Sequence, residues 1–521
     1  MAKRFACRAL ALGLMALSGC CASHTVSRPD APAVAAASAA SSPRSPYLQH
    51  PEKAIDWMVK NAEFWKKTYD PVHGGYFTLV REDGTIPDPN YKSTLSQSRV
   101  AYAFARAYMV TGNREYLTFA RRAVDFMAAH SWDRQNGGFH TCVGPDGESL
   151  DHSPAFDRVS EHQRQKWSFM QEYGLLGIAA VYDANRRDED LAFLTRARAT
   201  LDEKFWDGRK GLEGYYDAAE EDWSSPRGKG FTPTVDAFTT HGEAAYLLTR
   251  DPRYKERLLQ LADEIVDHLV ATMDTRKLGI EELYDSDWNP AGKGHFFVGH
   301  LLKTAWCLER AYLVSPNEKY RAAADRILQQ VWGRAWDHTH GGPFQYGDSL
   351  RGAITDRNKL YWGLEQAITG GLAGYYLTGN QTYLEMADRS LEFYDRYLYD
   401  WKYGDVIDTV SEDGSRRILT DKGGYWKSAY HAMEVGYYVY LYGNLYLQRR
   451  PAALHYWIDR STQDRTLPLD PIAIQDGALV ISEVARDGEP YSGYDGRART
   501  LWVPAGVEGD FRVTFVNVRE R

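Results

Sequence analysis

A six-fold repeat constrains the fold of this chain more than any other feature. Three segments share an aromatic residue, an aspartate and a glycine pair: YDPVHGGYF from position 69, WDRQNGGFH from 132 and WDHTHGGPF from 336, with weaker copies from 206, 273 and 399. The six aspartates are separated by 63, 74, 67, 63 and 63 residues, which indicates a repeat architecture. They are Asp70, Asp133, Asp207, Asp274, Asp337 and Asp400.

Each repeat is long enough for two helices and their connections. In SRVAYAFARAYMVTGNREYLTFARRAVDFMAAH (98–130), apolar residues recur every three or four positions on both sides of a TGN turn, and residues 370–398 repeat this plan. Six helical hairpins predict an all-α fold, an (α/α)6 toroid with inner and outer helices. An open α-solenoid is the alternative, but six units without obvious capping repeats favour closure.

The two ends of the chain differ from the repeats. Residues 1–19 have a basic start and a short apolar run ending in Leu-Ser-Gly-Cys, which resembles a lipoprotein signal peptide that would leave Cys20 lipidated. A plain secretory signal or an unprocessed start is the alternative. Residues 20–46, rich in Ala, Ser and Pro, predict a flexible tether. We therefore expect a lipid-anchored protein of the cell envelope on the periplasmic side, at the outer membrane because no Asp retention signal follows Cys20.

These boundaries assign residues 47–450 to the barrel and 451–521 to a small strand-rich extension, in which runs such as ALVISEV and FRVTFVNV alternate with turns. The extension contains no motif with a chemical role. Once Cys7 is removed and Cys20 lipidated, Cys21, Cys142 and Cys307 remain, and they build neither a disulfide framework nor a zinc pattern.

Composition narrows the class of partner. A net charge of -8 without a Lys/Arg run argues against nucleic-acid binding. The 15 Trp and 35 Tyr are numerous, and such amphipathic rings line carbohydrate sites as well as cores. A small mono- or oligosaccharide is therefore the expected partner, and the oligomeric state stays open.

Conspicuous polar residues recur 26 to 34 positions after the aspartates, near the start of a helix in each unit. Equivalent positions of a closed ring converge at one end of its axis, so these residues predict a shared pocket with several tryptophans nearby. The alternative is ordinary polar residues at helix starts. The set comprises Arg99, Lys166, His241, His300, Gln366 and His431, with Trp167, Trp306, Trp362 and Trp426.

We expect neither a metal nor a cofactor. His295 and His300 are five residues apart, which is a poor spacing for shared coordination on a helix, and no HExxH motif occurs. His338 and His340, in a Gly-rich loop, are more simply turn residues.

Four segments resemble the N-acylglucosamine 2-epimerase superfamily, which includes cellobiose 2-epimerases and mannose isomerases. They are LSQSRVAYAFARAY, GHLLKTAW, KLYWGLEQA and GGYWKSAYHAMEV, and the similarity covers roughly residues 50–447. The resemblance implies proton transfer on an open-chain aldose through an enediolate, leading to an epimer or a ketose. It gives the acid and base roles to His300 and His431, and it places Arg99 beside the carbonyl oxygen. Histidine suits both roles near neutral pH.

The motifs also depart from the family pattern. The family motif GHxxE ends in a glutamate, but Lys303 stands at that position here. In the segment that resembles the family motif WWxQAE, the expected glutamate falls on Gln366, and Glu365 is displaced by one position. The family motif HxxEA reads HGEA at His241, which is shorter by one residue. Lys303 would bias His300 towards a neutral base and suggests an acidic sugar. Glu434, three residues after His431, is expected to fix its tautomer. The expected substrate contacts are His241, Lys166, Lys303, Trp306, Trp362, Gln366, Trp426 and Glu434.

Two rival functions remain. A glycoside or uronyl hydrolase on the same ring fold needs two carboxylates, for which Asp236, Glu243, Glu365 and Asp421 are candidates. A glycan-binding envelope lipoprotein without catalysis is the other.

Overall fold

The computed structural model describes residues 43–148, 150 and 165–519. The predicted signal peptide, Cys20, Cys21 and most of the predicted tether lie outside the described residues. Among the residues it describes, no helix is both long and apolar enough to cross a membrane. The two described cysteines, Cys142 and Cys307, are buried, and neither forms a disulfide with another described residue.

The described ranges contain six inner and six outer barrel helices, which confirms the predicted (α/α)6 toroid. The outer helices are α1 (Ala54–Lys66), α3 (Arg114–Phe126), α5 (Asp188–Phe205), α7 (Pro252–Glu264), α9 (Glu318–Arg334) and α11 (Gln381–Phe393). The inner helices are α2 (Thr94–Thr111), α4 (Ser168–Asn185), α6 (Glu243–Thr249, preceded by wide turns over 232–242), α8 (Val298–Val314), α10 (Tyr361–Thr378) and α12 (Tyr430–Tyr442).

Burial separates the two layers. Outer helix α3 buries one stripe, including Tyr116, Ala120 and Val124, whereas inner helix α4 is buried on nearly every side. Small residues let inner helices approach: a Cβ on Gly177 of α4 would lie 2.4 Å from the carbonyl oxygen of Ser98 in α2.

The repeated TGN turns join inner to outer helices. Gly112 and Gly379 end α2 and α10 with φ near 71°, a conformation that favours glycine. The next residues, Asn113 and Asn380, accept hydrogen bonds from the first-turn N–H groups of α3 and α11.

Buried lysine–aspartate pairs explain the aspartates of the repeat. Each aspartate follows an outer helix. In five units its side chain accepts backbone N–H groups of its own turn and also binds a buried lysine that precedes the next inner helix. The pairs, with N–O distances, are Lys92–Asp70 (2.8 Å), Lys166–Asp133 (2.7 Å), Lys229–Asp207 (2.8 Å), Lys359–Asp337 (3.1 Å) and Lys422–Asp400 (3.0 Å).

The fourth unit lacks this pair. Asp274 is 71% exposed and binds Arg326, and the position 22 residues after it holds Phe296, which is fully buried against Gly279 and Gly347.

The last unit meets the first, which closes the ring. Inner helix α12 packs against α1 and α2, and the Trp65 indole donates to the Asp405 carboxylate at 2.9 Å. At the end formed by the N-termini of the inner helices, Val80 bridges to Gly423 and short antiparallel strands join the loops. Four strand pairs are Lys92–Ser93 with Cys142–Val143, Gln165–Trp167 with Ala218–Glu220, Trp206–Asp207 with Gly214–Tyr215, and Lys229–Gly230 with Leu283–Tyr284. Two sheets have three strands each. Tyr346–Asp348 lies between His295–Phe297 and Ala353–Asp356 in one, and Thr409–Val410 lies between Lys359–Leu360 and Arg417–Leu419 in the other.

The β-rich extension packs against the opposite end of the barrel. Arg250, which ends α6, donates to Asp470 at 2.6 Å, and Tyr446 donates to the carbonyl of Ala473 at 2.5 Å. Arg499 of the extension also donates to Asp470, at 2.5 Å. One sheet is formed by Ala452–Ile458, Gly509–Asn517, Leu479–Arg486 and Glu489–Pro490, and a second by Arg465–Pro468, Thr500–Val503 and Tyr494–Asp495.

Candidate active site

His431 is held by a carboxylate from the neighbouring inner helix. Its Nδ1 lies 2.5 Å from Oε2 of Glu365 in α10, and both side chains are nearly or fully buried. Burial, with the positive charges of Arg99 and Lys303, lowers the pKa of His431 well below 6.5. The imidazole is therefore neutral at pH 7. In the tautomer that donates Nδ1–H to Glu365, Nε2 is the basic nitrogen left for chemistry.

His300 has the same kind of partner. Its Nδ1 lies 3.0 Å from Oε1 of Glu282, which also accepts the backbone N–H of Phe297. Phe231 stacks on the imidazole at 3.7 Å between ring centroids. His300 is 21% exposed, so its ring is fixed in orientation but still open to a ligand.

Trp362 brings the two histidines into one site. Its ring centroid lies 5.2 Å from that of His300 and 6.3 Å from that of His431, with interplanar angles of 33° and 32°. Trp362 stands at the start of α10, and Gly299 makes room for it, because a Cβ there would lie 2.3 Å from the indole.

Arg99 reaches the site from α2. Its guanidinium donates to the carbonyl of Trp426 at 2.7 Å and lies 4.4 Å from the Tyr173 ring centroid and 5.5 Å from that of Tyr430. Aromatic faces on two sides fix the cation without neutralising it. An oxyanion near the imidazoles would find a preorganised positive charge.

Lys303 does not present a free cation. It forms a buried ion pair with Asp236 and lies 3.4 Å from the Tyr173 hydroxyl. Burial opposes its charge, but Asp236 and Tyr173 hold the pKa of Lys303 above its ordinary value. The acidic-sugar hypothesis loses its physical basis here, because Asp236 already neutralises the lysine.

Three other predicted contacts are occupied by structural partners: Lys166 binds Asp133, His241 packs against Arg198 of α5 at 3.3 Å, and the Trp306 indole donates to the Tyr442 hydroxyl at 3.2 Å. We therefore correct the assignment of Lys166, His241 and Trp306 to structural positions. Gln366 is fully buried next to Glu365, and its contact with substrate stays a prediction.

The two remaining predicted contacts differ in exposure. Trp426 is 55% exposed and packs edge-on against Trp167 and Phe169, so it lies at the rim. Glu434 is buried and accepts the Tyr430 hydroxyl at 2.6 Å. The carboxylate on His431 is therefore Glu365 and not Glu434.

A different reference point in the sequence corrects the register. In four inner helices the residue just after the helix donates its N–H to the carbonyl of a tyrosine in the last turn. These tyrosines are Tyr108, Tyr182, Tyr246 and Tyr375. The residues nine positions before them are Arg99, Tyr173, Ala237 and Gln366. The same count from Tyr312 gives Lys303. Loop lengths between aspartate and helix vary, whereas helix geometry does not. Counting from the helix end would have separated Lys166 and His241 from the site, but no periodic signal marks Glu282 in its loop.

Three described clusters have ligand atoms close enough to hold a metal: Asp133, His140 and Glu221; Asp337, His340 and Glu412; Glu365, His431 and Glu434. Lysines already bind the aspartates of the first two. In the third, 2.5 Å between Nδ1 and Oε2 is a hydrogen-bond distance, shorter than the separation of about 3 Å between ligands of one zinc ion.

Comparisons with known proteins identify the family of the chain. The chain is 24% identical over 401 residues to a D-mannose isomerase of Marinomonas mediterranea, covering 73% of this chain and 95% of that protein. A cellobiose 2-epimerase of Bacteroides fragilis is 22% identical over 380 residues, covering 71% and 92%. The structure of cellobiose 2-epimerase from Spirochaeta thermophila matches with a TM-score of 0.67 and 23% identity, over 77% of this chain and 98% of that one. The family model of N-acylglucosamine 2-epimerase (GlcNAc 2-epimerase) matches residues 75–435, more than two thirds of the sequence, and the chain therefore belongs to the N-acylglucosamine 2-epimerase family.

Proposed function

We propose that this protein epimerises or isomerises the reducing end of an aldose by proton transfer between the sugar and two histidines. One observation carries the proposal: His300 and His431 each bind a carboxylate through Nδ1 and pack against the same Trp362 ring. Each Nε2 is thereby available as a base or, once protonated, as an acid.

The proposed reaction begins with an open-chain aldose whose carbonyl oxygen lies near Arg99. The Nε2 of one histidine removes the proton at C2. The electron pair of that C–H bond forms a double bond between C1 and C2, and the π pair of the carbonyl moves to its oxygen, which gives the enediolate. The guanidinium stabilises the developing negative charge. The other histidine, carrying a proton on Nε2, then gives that proton either to the opposite face of C2, which restores the C1 carbonyl and gives the epimer, or to C1 while the O2 hydroxyl proton passes to O1, which gives the ketose.

The carboxylates support this exchange of roles. Glu282 and Glu365 stabilise the imidazolium that forms when either ring takes a proton. Exposed Trp426, next to Trp167, offers an apolar face on which a sugar ring can stack.

The hydrolase alternative finds less support in the same residues. Of its four candidates, Asp236 is paired with Lys303, Glu243 with Arg310 and Glu365 with His431. Asp421 is half-exposed and bound to Arg81. None of these carboxylates stands as a free pair across a cleft, as glycoside hydrolysis requires.

Deuterium exchange tests the proposal directly. The protein is incubated in heavy water with a panel of reducing sugars, and the C2 proton signal of each sugar is followed by NMR. We expect enzyme-dependent loss of this signal with at least one sugar and none with His431→Asn, which keeps a polar side chain but no base. Sugar binding without exchange would instead support a glycan-binding protein, and release of a chromophore from aryl glycosides would support a hydrolase.

We also propose that the protein is anchored in the cell envelope through lipidated Cys20. The support is the lipobox-like ending at Cys20 and the Ala/Ser/Pro-rich stretch that follows it. Fractionation after expression in a bacterium tests this: wild type should sediment with membranes and Cys20→Ser should not. Equal membrane recovery of the two would refute the anchor.

A further inference from the structure

A small polar cavity, partly open to solvent, lies below the candidate site, between the inner helices and the extension. It has a volume of about 40 Å³, and Asp470 and Pro471 of the extension form part of its wall. Glu434 and Glu243 line it from the barrel side. Its size is sufficient for water, which needs about 10–15 Å³ by the same measure.

Two buried carboxylate oxygens at this cavity lack protein partners among the described residues. Glu434 accepts the Tyr430 hydroxyl through Oε1, and Glu243 binds Arg310 through Oε2, at 2.7 Å. Their other oxygens, Oε2 of Glu434 and Oε1 of Glu243, are buried and receive no protein donor. Buried carboxylates are normally hydrogen-bonded, so ordered water in the cavity is the expected donor.

The cavity connects to His431 through Glu434. One carboxylate oxygen of Glu365, one of Glu434 and a ring nitrogen of His431 lie within 4.8 Å of one another. Burial and the adjacent Glu434 raise the pKa of Glu365 well above its ordinary value. Two carboxylates at this distance avoid repulsion when they share one proton.

We propose that Glu365, Glu434 and the cavity water form a proton relay behind His431, separate from the sugar-binding mouth. This inference rests on the proposed proton-transfer function for its purpose, but its test requires no sugar. Glu434 is then a positioning and relay residue that acts through Glu365.

The relay conserves protons at every step. When His431 takes a proton on Nε2, it first becomes an imidazolium. Its Nδ1 proton then passes to Glu365, the proton that Glu365 shares passes to Glu434, and Glu434 releases one proton to a cavity water. The reverse sequence restores the starting state. No other co-reactant is required.

Part of the wall of this cavity falls outside the family match. Residues 75–435 match the family, whereas Asp470 and Pro471 belong to the extension. The relay is therefore a feature that this chain's own extension completes.

Exchange of the His431 Nδ1 proton with water tests the relay. A proton in a hydrogen bond as short as 2.5 Å resonates far downfield in the proton NMR spectrum. Labelling of histidine with ¹⁵N shows that this proton is bound to a ring nitrogen, and loss of the signal in His431→Asn assigns it to His431. Its exchange with water is measured by saturation transfer and line width in wild type and in Glu434→Gln. We expect exchange about tenfold slower in the variant, because an amide cannot release a proton to the cavity water.

A second variant leaves the carboxylates intact. Ala180 lines the cavity and is buried, so Ala180→Val should displace water and slow the same exchange. Glu282→Gln, at the other histidine, should not change it. Wild-type exchange rates in both Glu434→Gln and Ala180→Val would overturn the relay, and this result would leave the deuterium-exchange test of function unaffected.

Discussion

At the scale of residues, the site is defined by two imidazole–carboxylate pairs. Glu365 and Glu282 come from elements other than those of their histidines, so the partner of His431 was predicted wrongly as Glu434 on its own helix. Residues three apart on one helix share a face, but that face of α12 meets α10, whose carboxylate lies closer to Nδ1. Side-chain partners across helices depend on packing that one sequence does not encode locally.

Glu365→Gln should lower kcat by about 10²-fold with little change in KM. The amide oxygen still accepts the Nδ1 proton and keeps the tautomer, but it carries no charge to stabilise the imidazolium. Steady-state kinetics on the sugar identified by deuterium exchange would measure this. A purely structural role for Glu365 predicts instead a lower melting temperature with unchanged kcat.

The pH dependence of activity should report the environment of His431. Burial, Arg99 and Lys303 lower its pKa below 6.5, so the acidic limb of kcat/KM should lie below pH 6.5. The double variant Lys303→Met/Asp236→Asn removes the cation that acts on His431 together with the carboxylate that pairs with it, so no buried charge is left unpaired. The pKa of His431 then rises, and the acidic limb should move to higher pH. A limb that stays in place would contradict the influence of Lys303.

At the scale of elements, the hairpins were predictable and their exact register was not. The period of the aspartates and the TGN turns gave two helices per unit and a closed ring, because both signals depend on local sequence. The aspartates were poor reference points for the site, since the interval between aspartate and paired lysine is 33 residues in the second unit and 22 in four others. Lys166 was assigned to the pocket for this reason.

Breaking one lysine–aspartate pair should destabilise the barrel. Lys422→Met leaves the buried carboxylate of Asp400 unpaired and should lower the free energy of unfolding by about 3 kcal/mol. Adding Asp400→Asn should recover part of this loss. Urea unfolding measures both, with Arg81→Met at the half-exposed pair with Asp421 as a control that should cost less than about 1 kcal/mol. Equal effects of Lys422→Met and Arg81→Met would refute a special role for the buried pairs.

At the scale of the whole molecule, the extension closes one end of the barrel and leaves the histidine end open. Asp470 joins the two parts, because it accepts hydrogen bonds from Arg250 of the barrel and Arg499 of the extension. Tyr108 of α2 adds a contact to Asp510 at 2.5 Å. The strand pattern predicted the sheets, but nothing in it indicated that they would cover the barrel axis.

Asp470→Ala should weaken the contact between the extension and the barrel. Removing this carboxylate leaves two partly buried guanidinium groups without their partner, which should cost about 3 kcal/mol. We expect a lower melting temperature by calorimetry and faster protease cleavage in the extension. Asp476→Ala is the matched control, because Asp476 is 97% exposed and only 3.6 Å from Arg499 at its closest. Identical behaviour of the two variants would contradict the role of Asp470.

The missing pair of the fourth unit has a consequence for protein engineering. In the other five units a buried lysine binds the aspartate of the loop, whereas this unit has Phe296 at the equivalent position. Glu282 in the same loop accepts the backbone N–H of Phe297 and contacts His300. The loop between Asp274 and Phe296 therefore positions Glu282 against His300 without the lysine–aspartate pair of the other units. Trp288 is buried in this loop, whereas most of residues 289–293 are exposed. We expect libraries with insertions or replacements at 289–293 to retain folded barrels more often than equivalent libraries in the other five loops. Directed evolution of sugar selectivity should therefore begin in this segment.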